Sequence, residues 1–154
     1  MKISDLLESA AIAPDLRSTG KLEILSELAT TLVKVEPGLS REEILRVLLE
    51  RERLGSTGIG DGVAIPHGKL KQLDRLLIAF GRHRQGVDFD SMDGKPTHLF
   101  FLLVAPEDSV GIHLKALARI SKLLKSPGVR QRLVAAGGSD DILTIINEEE
   151  EKLP

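Results

Sequence analysis

The sequence predicts a single α/β domain, a β-sheet with helices layered on each side. Apolar residues recur at helical spacing toward both ends of the chain, whereas short apolar runs dominate its middle. Two of those runs, Leu76–Phe80 and Leu99–Ala105, are apolar without alternation, the pattern of central strands covered on both faces. With 154 residues, 42% of them hydrophobic, and no repeat, low-complexity linker or shift of composition, residues 1–154 have the size of one domain with a core of its own.

The amino terminus, "MKISDLLESAA", meets Asp5 and Glu8 before any long apolar run. In "TGKLEILSELATTLVK", Leu22, Leu25, Leu28 or Ala29, and Leu32 mark an amphipathic helix that "EPGLS" breaks. Ser40 and Glu43 then stand in the S-x-x-E capping relation ahead of "ILRVLLERERL", so a second helix ends near Leu54, with Gly55 as its stop. Between Val63 and Pro106 the runs "VAI", "RLLIAFG", "VDFD" and "HLFFLLVA" read as strands punctuated by Gly, Pro and Asp. Helical spacing returns in "SVGIHLKALARISKLLK"; Pro127 can open another helix, and Ser139 with Asp140 and Asp141 a last one. The acidic end, residues 148–154, reads as a frayed, solvated tail.

Composition narrows the function classes. A net charge of −2 gives no basic footprint for nucleic acid, and four Phe with no Trp or Tyr give no stacking platform for bases. Without cysteine there are no disulfides, thiolate chemistry or cysteine-rich zinc sites. The longest apolar stretch, "LFFLLVA", falls far short of the ~20 residues that span a bilayer, so a cytoplasmic protein without membrane insertion is expected.

The stretch "GIGDGVAIPHGKL" carries the chemistry. Gly58, Gly60 and Gly62 run G-x-G-x-G ahead of a strand, whereas a dinucleotide fingerprint needs G-x-G-x-x-G between a strand and a helix. A phosphate loop fails too, because five residues separate Gly62 from Gly68 and Leu70 follows Lys69. Two readings of the glycines remain: a nest whose amides converge on an anion, or a plain loop. His67 adds an imidazole with a nucleophilic nitrogen near neutral pH, whose other nitrogen can donate to a carbonyl and so fix the tautomer. Pro66 restricts the backbone before it, and Gly68 removes side-chain bulk after it, leaving room for a partner protein to approach. Taken alone, a histidine at a strand end reads as an ordinary surface or core residue.

The four histidines, His67, His83, His98 and His113, lie far apart, none at the i, i+4 spacing of a zinc helix, so neither metal nor cofactor is expected. His83 and His98 read as surface or capping residues beside strand ends. His113 precedes Leu117, Ile120 and Leu124 at helical offsets and projects from the edge of the apolar stripe, partly buried.

The whole stretch "ERERLGSTGIGDGVAIPHGK" resembles the type-2 enzyme IIA signature of the bacterial phosphoenolpyruvate-dependent phosphotransferase system: an acidic residue, here Glu52, a small-residue loop, then Ala64-Ile65-Pro66-His67-Gly68. Within that family, "GSTGIG", "AIPHGK" and the "LEILSELA" helix look most like the nitrogen-regulatory branch. The resemblance implies a central mixed sheet flanked by helices on both faces, the mannitol-type enzyme IIA fold. It implies that His67 accepts phosphate from an HPr-type phosphocarrier loaded by an enzyme I. Arg51 matches the family's arginine before the loop, where its guanidinium can grip phosphate oxygens, with Arg53 as second candidate and a plain helix-end charge as the alternative. Ser56, Thr57, Gly58, Gly60, Gly62 and Gly68 form the expected phosphate-binding loop. The family also pairs its phosphorylated histidine with one from the helix after the last long strand, the place of His113. Two roles follow: a regulator whose phosphorylation state changes which target proteins it binds, or a sugar-uptake enzyme IIA that passes phosphate to a separate enzyme IIB.

Overall fold

A computed structural model describes residues 1–154. Two 3₁₀ turns, Ile3–Asp5 and Ser9–Ala11, lead into β1 (Ile12–Ala13) and then α1 (Lys21–Val35) and α2 (Arg41–Glu52). Three short strands follow, β2 (Gly58–Gly60), β3 (Val63–Ala64) and β4 (His67–Leu70), and then two long ones, β5 (Leu77–Val87) and β6 (Thr97–Pro106). Helices α3 (Val110–Leu123), α4 (Pro127–Ala135) and α5 (Ser139–Glu151) complete the chain. The caps follow local chemistry. Ser40 Oγ accepts from the Glu43 amide at 3.2 Å, and Ser126 Oγ accepts from Val129 with Pro127 in the first turn of α4.

The sheet is mixed, in the order β1-β5-β6-β3-β2, with β4 also paired to β6. Strands β5 and β6 are antiparallel at its centre, whereas β1 lies parallel to β5, and β3 and β4 lie parallel to β6. The two non-alternating apolar runs therefore occupy the middle, buried on both sides. Registry sorts the faces. Gly81 pairs with Phe100 and Gly68 with Val104 on one face. There a Cβ on Gly81 would meet Leu28 Cδ2 of α1 at 2.8 Å, and one on Gly68 would meet Val47 Cγ2 of α2 at 2.8 Å. Glycine at both positions lets these helices seat directly on the strands. On the opposite face lie His67, Leu103 and the fully buried Arg82, whose guanidinium donates to Leu133 O at the end of α4.

Three expectations need correction. "VDFD" is not a separate strand: Val87 closes β5 and Phe89 follows outside the sheet, fully buried, because β5 runs through Gly86 at φ +88°. His83 is no surface residue. It is buried, accepting the Gly86 amide on Nδ1 at 3.0 Å, while His98 Nδ1 donates to its carbonyl at 3.0 Å.

The acidic end is not frayed through residue 151, because α5 continues to Glu151 and Glu150 is only 1% exposed. Its carboxylate accepts from the amides of Ile3 at 2.6 Å and Ser4 at 3.0 Å and from Arg119 at 3.0 Å, tying the two termini together. Burial pushes this carboxyl up, but the two amides and the guanidinium outweigh it and hold it below the usual range. Glu150→Ala is therefore expected to cost roughly 2 to 4 kcal/mol, since it orphans two amides and a half-buried guanidinium. Urea unfolding of the variant and the parent protein measures this.

Candidate active site

The site forms where three elements meet at the carboxyl end of β6. Strand β4 pairs in parallel with Leu103–Pro106, and Leu103 N–H donates to Pro66 O at 3.0 Å, which fixes His67 at the first position of its strand. Only three residues separate Pro106 from α3, so His113, one turn into that helix, comes back over the same strand end. From the other side α2, seated on Gly68 through Val47, delivers Arg51 from its last turn. The rings of His67 and His113 lie 5.1 Å apart, centre to centre, tilted by 59°.

His67 is half-buried, and its Nδ1 lies 2.8 Å from Ile65 O. A carbonyl only accepts, so Nδ1 carries the proton and Nε2 holds the lone pair. Arg51 Nε donates to that Nε2 at 3.2 Å, while its Nη1 donates to Gly55 O at 2.9 Å. Burial, seconded by the Arg51 cation, pulls the His67 imidazole below its usual range against the Ile65 hydrogen bond. His113 is buried at 7% exposure, and its Nδ1 has no hydrogen-bond partner. Burial, then the neighbouring His67 and Lys69, lower its pKa from 6.5 to about 4. The site thus holds two neutral imidazoles and one guanidinium, a nucleophilic nitrogen with donors around it.

Of the residues singled out in the sequence, His67, His113, Arg51 and Gly68 line one pocket. The rest of the glycine loop does not. Gly58 abuts Ser91, Gly60 abuts Asp93 and Gly62 abuts His98, on the far side of β3. Two of its amides are engaged within the loop and its neighbours, Asp61 N–H by the Asp93 carboxylate and Gly58 N–H by Ser56 Oγ, both at 3.0 Å. The plain-loop reading of these glycines describes them better than the nest, with Gly60 at φ +97° and Gly62 at φ +78° turning β2 back onto β3. Ser56 Oγ donates to Phe89 O, and Thr57 bonds Glu52 through both its amide and its hydroxyl. Arg53 is exposed at the end of α2, outside the pocket. Gly68 makes room for Val47 rather than for an incoming partner.

Sequence reasoning missed three features. Glu52 and Lys21 form a 2.9 Å ion pair, with Lys21 Nζ 4.8 Å above the Phe89 ring, so the residue after Arg51 is anchored to α1 and to the loop at once. Lys69 lines the pocket beside both histidines. Leu54, Val110 and Leu114, at 84%, 55% and 59% exposure, form an apolar rim around it. Glu52 and Lys69 stood in the signature without these contacts being readable, and the rim showed as Val110 and Leu114 off the buried stripe of α3 and Leu54 just past α2.

A small α/β domain thus holds a tautomer-fixed histidine with a guanidinium on its free nitrogen and a second imidazole alongside. Residues 5–149 match the family model of the phosphoenolpyruvate-dependent sugar phosphotransferase system, EIIA 2. A nitrogen regulatory protein of Bradyrhizobium diazoefficiens is 42% identical over 146 residues, 95% of each chain. The fructose-specific EIIABC component of Bacillus subtilis is 40% identical over 148 residues, which are 96% of this chain and 23% of that longer protein. The crystal structure of the nitrogen regulatory protein IIA-Ntr from Neisseria meningitidis superimposes with a TM-score of 0.87 at 34% identity, covering 94% of this chain and 98% of that one. The chain belongs to the type-2 enzyme IIA family of the phosphotransferase system, and its fold is that of IIA-Ntr. No helix is long and apolar enough to cross a membrane.

Because the folded state holds His113 near 4 against 6.5 in an unfolded chain, the fold binds fewer protons there than the unfolded state between those values. Stability should therefore fall as pH drops from about 6.5 to about 4. His113→Gln should make that decline shallower, as read from urea midpoints across the range, and imidazole NMR should place the His113 titration near its low end.

Proposed function

We infer that this protein is a cytoplasmic phosphohistidine carrier of nitrogen-regulatory type, which accepts a phosphoryl group on His67 Nε2 from an HPr-type carrier and changes its binding partners with its phosphorylation state. The observation that carries the reading is the 2.8 Å contact of His67 Nδ1 with Ile65 O, which leaves Nε2 as the nucleophile facing Arg51 and His113. Family membership supports the reaction class, and the 42% identical nitrogen regulatory protein supports the branch.

The transfer needs positioning and charge stabilisation more than covalent help. The Nε2 lone pair forms the new N–P bond as the donor's N–P bond breaks, and the departing electron pair stays on the donor nitrogen. The ring's Nδ1–H remains on Ile65 O throughout. The Arg51 guanidinium turns from Nε2 to the phosphoryl oxygens, where its fork suits two of them. His113 keeps its orphaned Nδ1 as a bare lone pair, so its Nε2–H donates a hydrogen bond to a phosphoryl oxygen, and His113 is neither deprotonated nor phosphorylated. No step calls for a metal or cofactor.

The apolar rim makes the regulatory step physical. A partner packed over Leu54, Val110 and Leu114 covers neutral His67, whereas phosphorylation places roughly −1.5 to −2 charge under that contact and repels it. A second reading, delivery of phosphate to an enzyme IIB for sugar uptake, is favoured by the 40% identity to the fructose-specific component. Rapid passage of the phosphate from this protein to a purified enzyme IIB and on to a sugar would select it.

With phosphoenolpyruvate, an enzyme I and an HPr-type carrier, the protein is expected to gain one phosphate, labile in acid and stable in alkali. His67→Ala should abolish it, and label persisting in that variant refutes the assignment. His113→Ala should still be labelled, with transfer slowed roughly 10- to 150-fold, the scale of one charge-assisted hydrogen bond.

A further inference from the structure

The phosphoryl group assigned to His67 brings roughly −1.5 to −2 charge into a half-buried pocket, where few groups can meet it. The phosphorylated ring, its Nδ1–H still on Ile65 O, carries one positive charge away from the phosphoryl oxygens, and Arg51 supplies one at them. Glu50, a carboxylate lining the same pocket, is held by Arg46 at 2.7 Å. His113 is near enough to be the second cation, but an imidazolium donates from both nitrogens, and its Nδ1 is buried with no acceptor. Charging it would bury an unsatisfied N–H, and burial already holds its pKa at about 4.

Lys69 remains. Side chains alternate along a strand, so Lys69 shares a face with His67, roughly 6.6 Å further along β4, a separation that a lysine side chain spans. It is half-buried, lines the His67 pocket, forms no ion pair with any carboxylate of the chain, and is close enough to His113 to oppose its protonation. A solvated strand-end charge would have no reason to lie in a pocket beside two buried or half-buried imidazoles.

We propose that Lys69 is a second phosphoryl-contacting cation, its ammonium meeting an oxygen of the group on His67 so that Arg51 and Lys69 together carry the counter-charge while His113 stays a neutral donor. The proposal rests on His67 being the phosphoryl acceptor. Lys69 exchanges no proton in the step: one N–P bond forms at His67, one breaks at the donor, and the ammonium only stabilises the product oxygens. Its effect therefore falls on how far the transfer equilibrium lies toward this protein, more than on the docking of the carrier.

The test is the equilibrium between the phosphorylated HPr-type carrier and this protein, measured with ³²P-phosphoenolpyruvate and enzyme I for the parent protein, Lys69→Gln and Lys69→Arg. Lys69→Gln is expected to lower the equilibrium constant roughly 3- to 10-fold, the scale of one partly screened charge contact, and Lys69→Arg to restore it to within about 2-fold. The ³¹P titration midpoint of the phosphoryl group, which faces Arg51, His113, Lys69 and the paired Glu50, should rise in Lys69→Gln. Slower transfer with an unchanged equilibrium and midpoint would make Lys69 a carrier contact and overturn the proposal. Absence of label in the parent protein, or label retained by His67→Ala, would instead overturn the assignment of His67 on which it rests.

Discussion

The parallel pairing of β4 with the end of β6 is the constraint on which the site depends. That ladder holds His67 against Leu103 and fixes which face its ring takes. The same strand, three residues past its end, launches α3 and returns His113 over the ring. On the other face, the absent side chain of Gly68 lets Val47 bring α2 down onto β4, and with it Arg51. Three functional groups distant in sequence thus meet because one short strand docks on one long one. The Glu52 ion pair with Lys21, together with the bonds from Thr57, then anchors the residue next to Arg51.

Desolvation gives these groups their character. Both imidazoles are kept neutral mainly by burial, which leaves each ring one lone pair and one N–H. A pocket of neutral rings is cheap to keep empty of charge. The cations at its margin, Arg51 and Lys69, lie on two different elements, α2 and β4. An apolar rim around such a pocket suits a protein surface that reads the charge state of one ring.

Much of this was legible in the sequence, for reasons that also explain the misses. The runs Leu76–Phe80 and Leu99–Ala105 identified the central strands because burial on both faces leaves no room for alternation. Strands β1 and β2, two and three residues long, carry too little pattern to be read as such, whereas "VAI" marked β3; "VDFD" alternates although Phe89 is buried outside the sheet. Burial of Glu150 and His83 depends on partners distant in sequence, the amides of Ile3 and Ser4 for one, and His98 for the other. At the site, His67, Arg51 and His113 stood out through the motif, and they converge. The loop glycines did not, because a glycine reports the angles its backbone needs and not the direction its amides face. Lys69 stood in the motif "AIPHGK" without a role, since only the fold places it in the pocket.

In the proposed reaction the carbonyl of Ile65 selects the reactive nitrogen of His67. Heteronuclear NMR of the phosphorylated, ¹⁵N-histidine-labelled protein tests this most directly, by the nitrogen to which phosphorus is coupled. ³¹P coupling is expected at Nε2 of His67, with Nδ1 still protonated. Coupling at Nδ1, or at either nitrogen of His113, would contradict it.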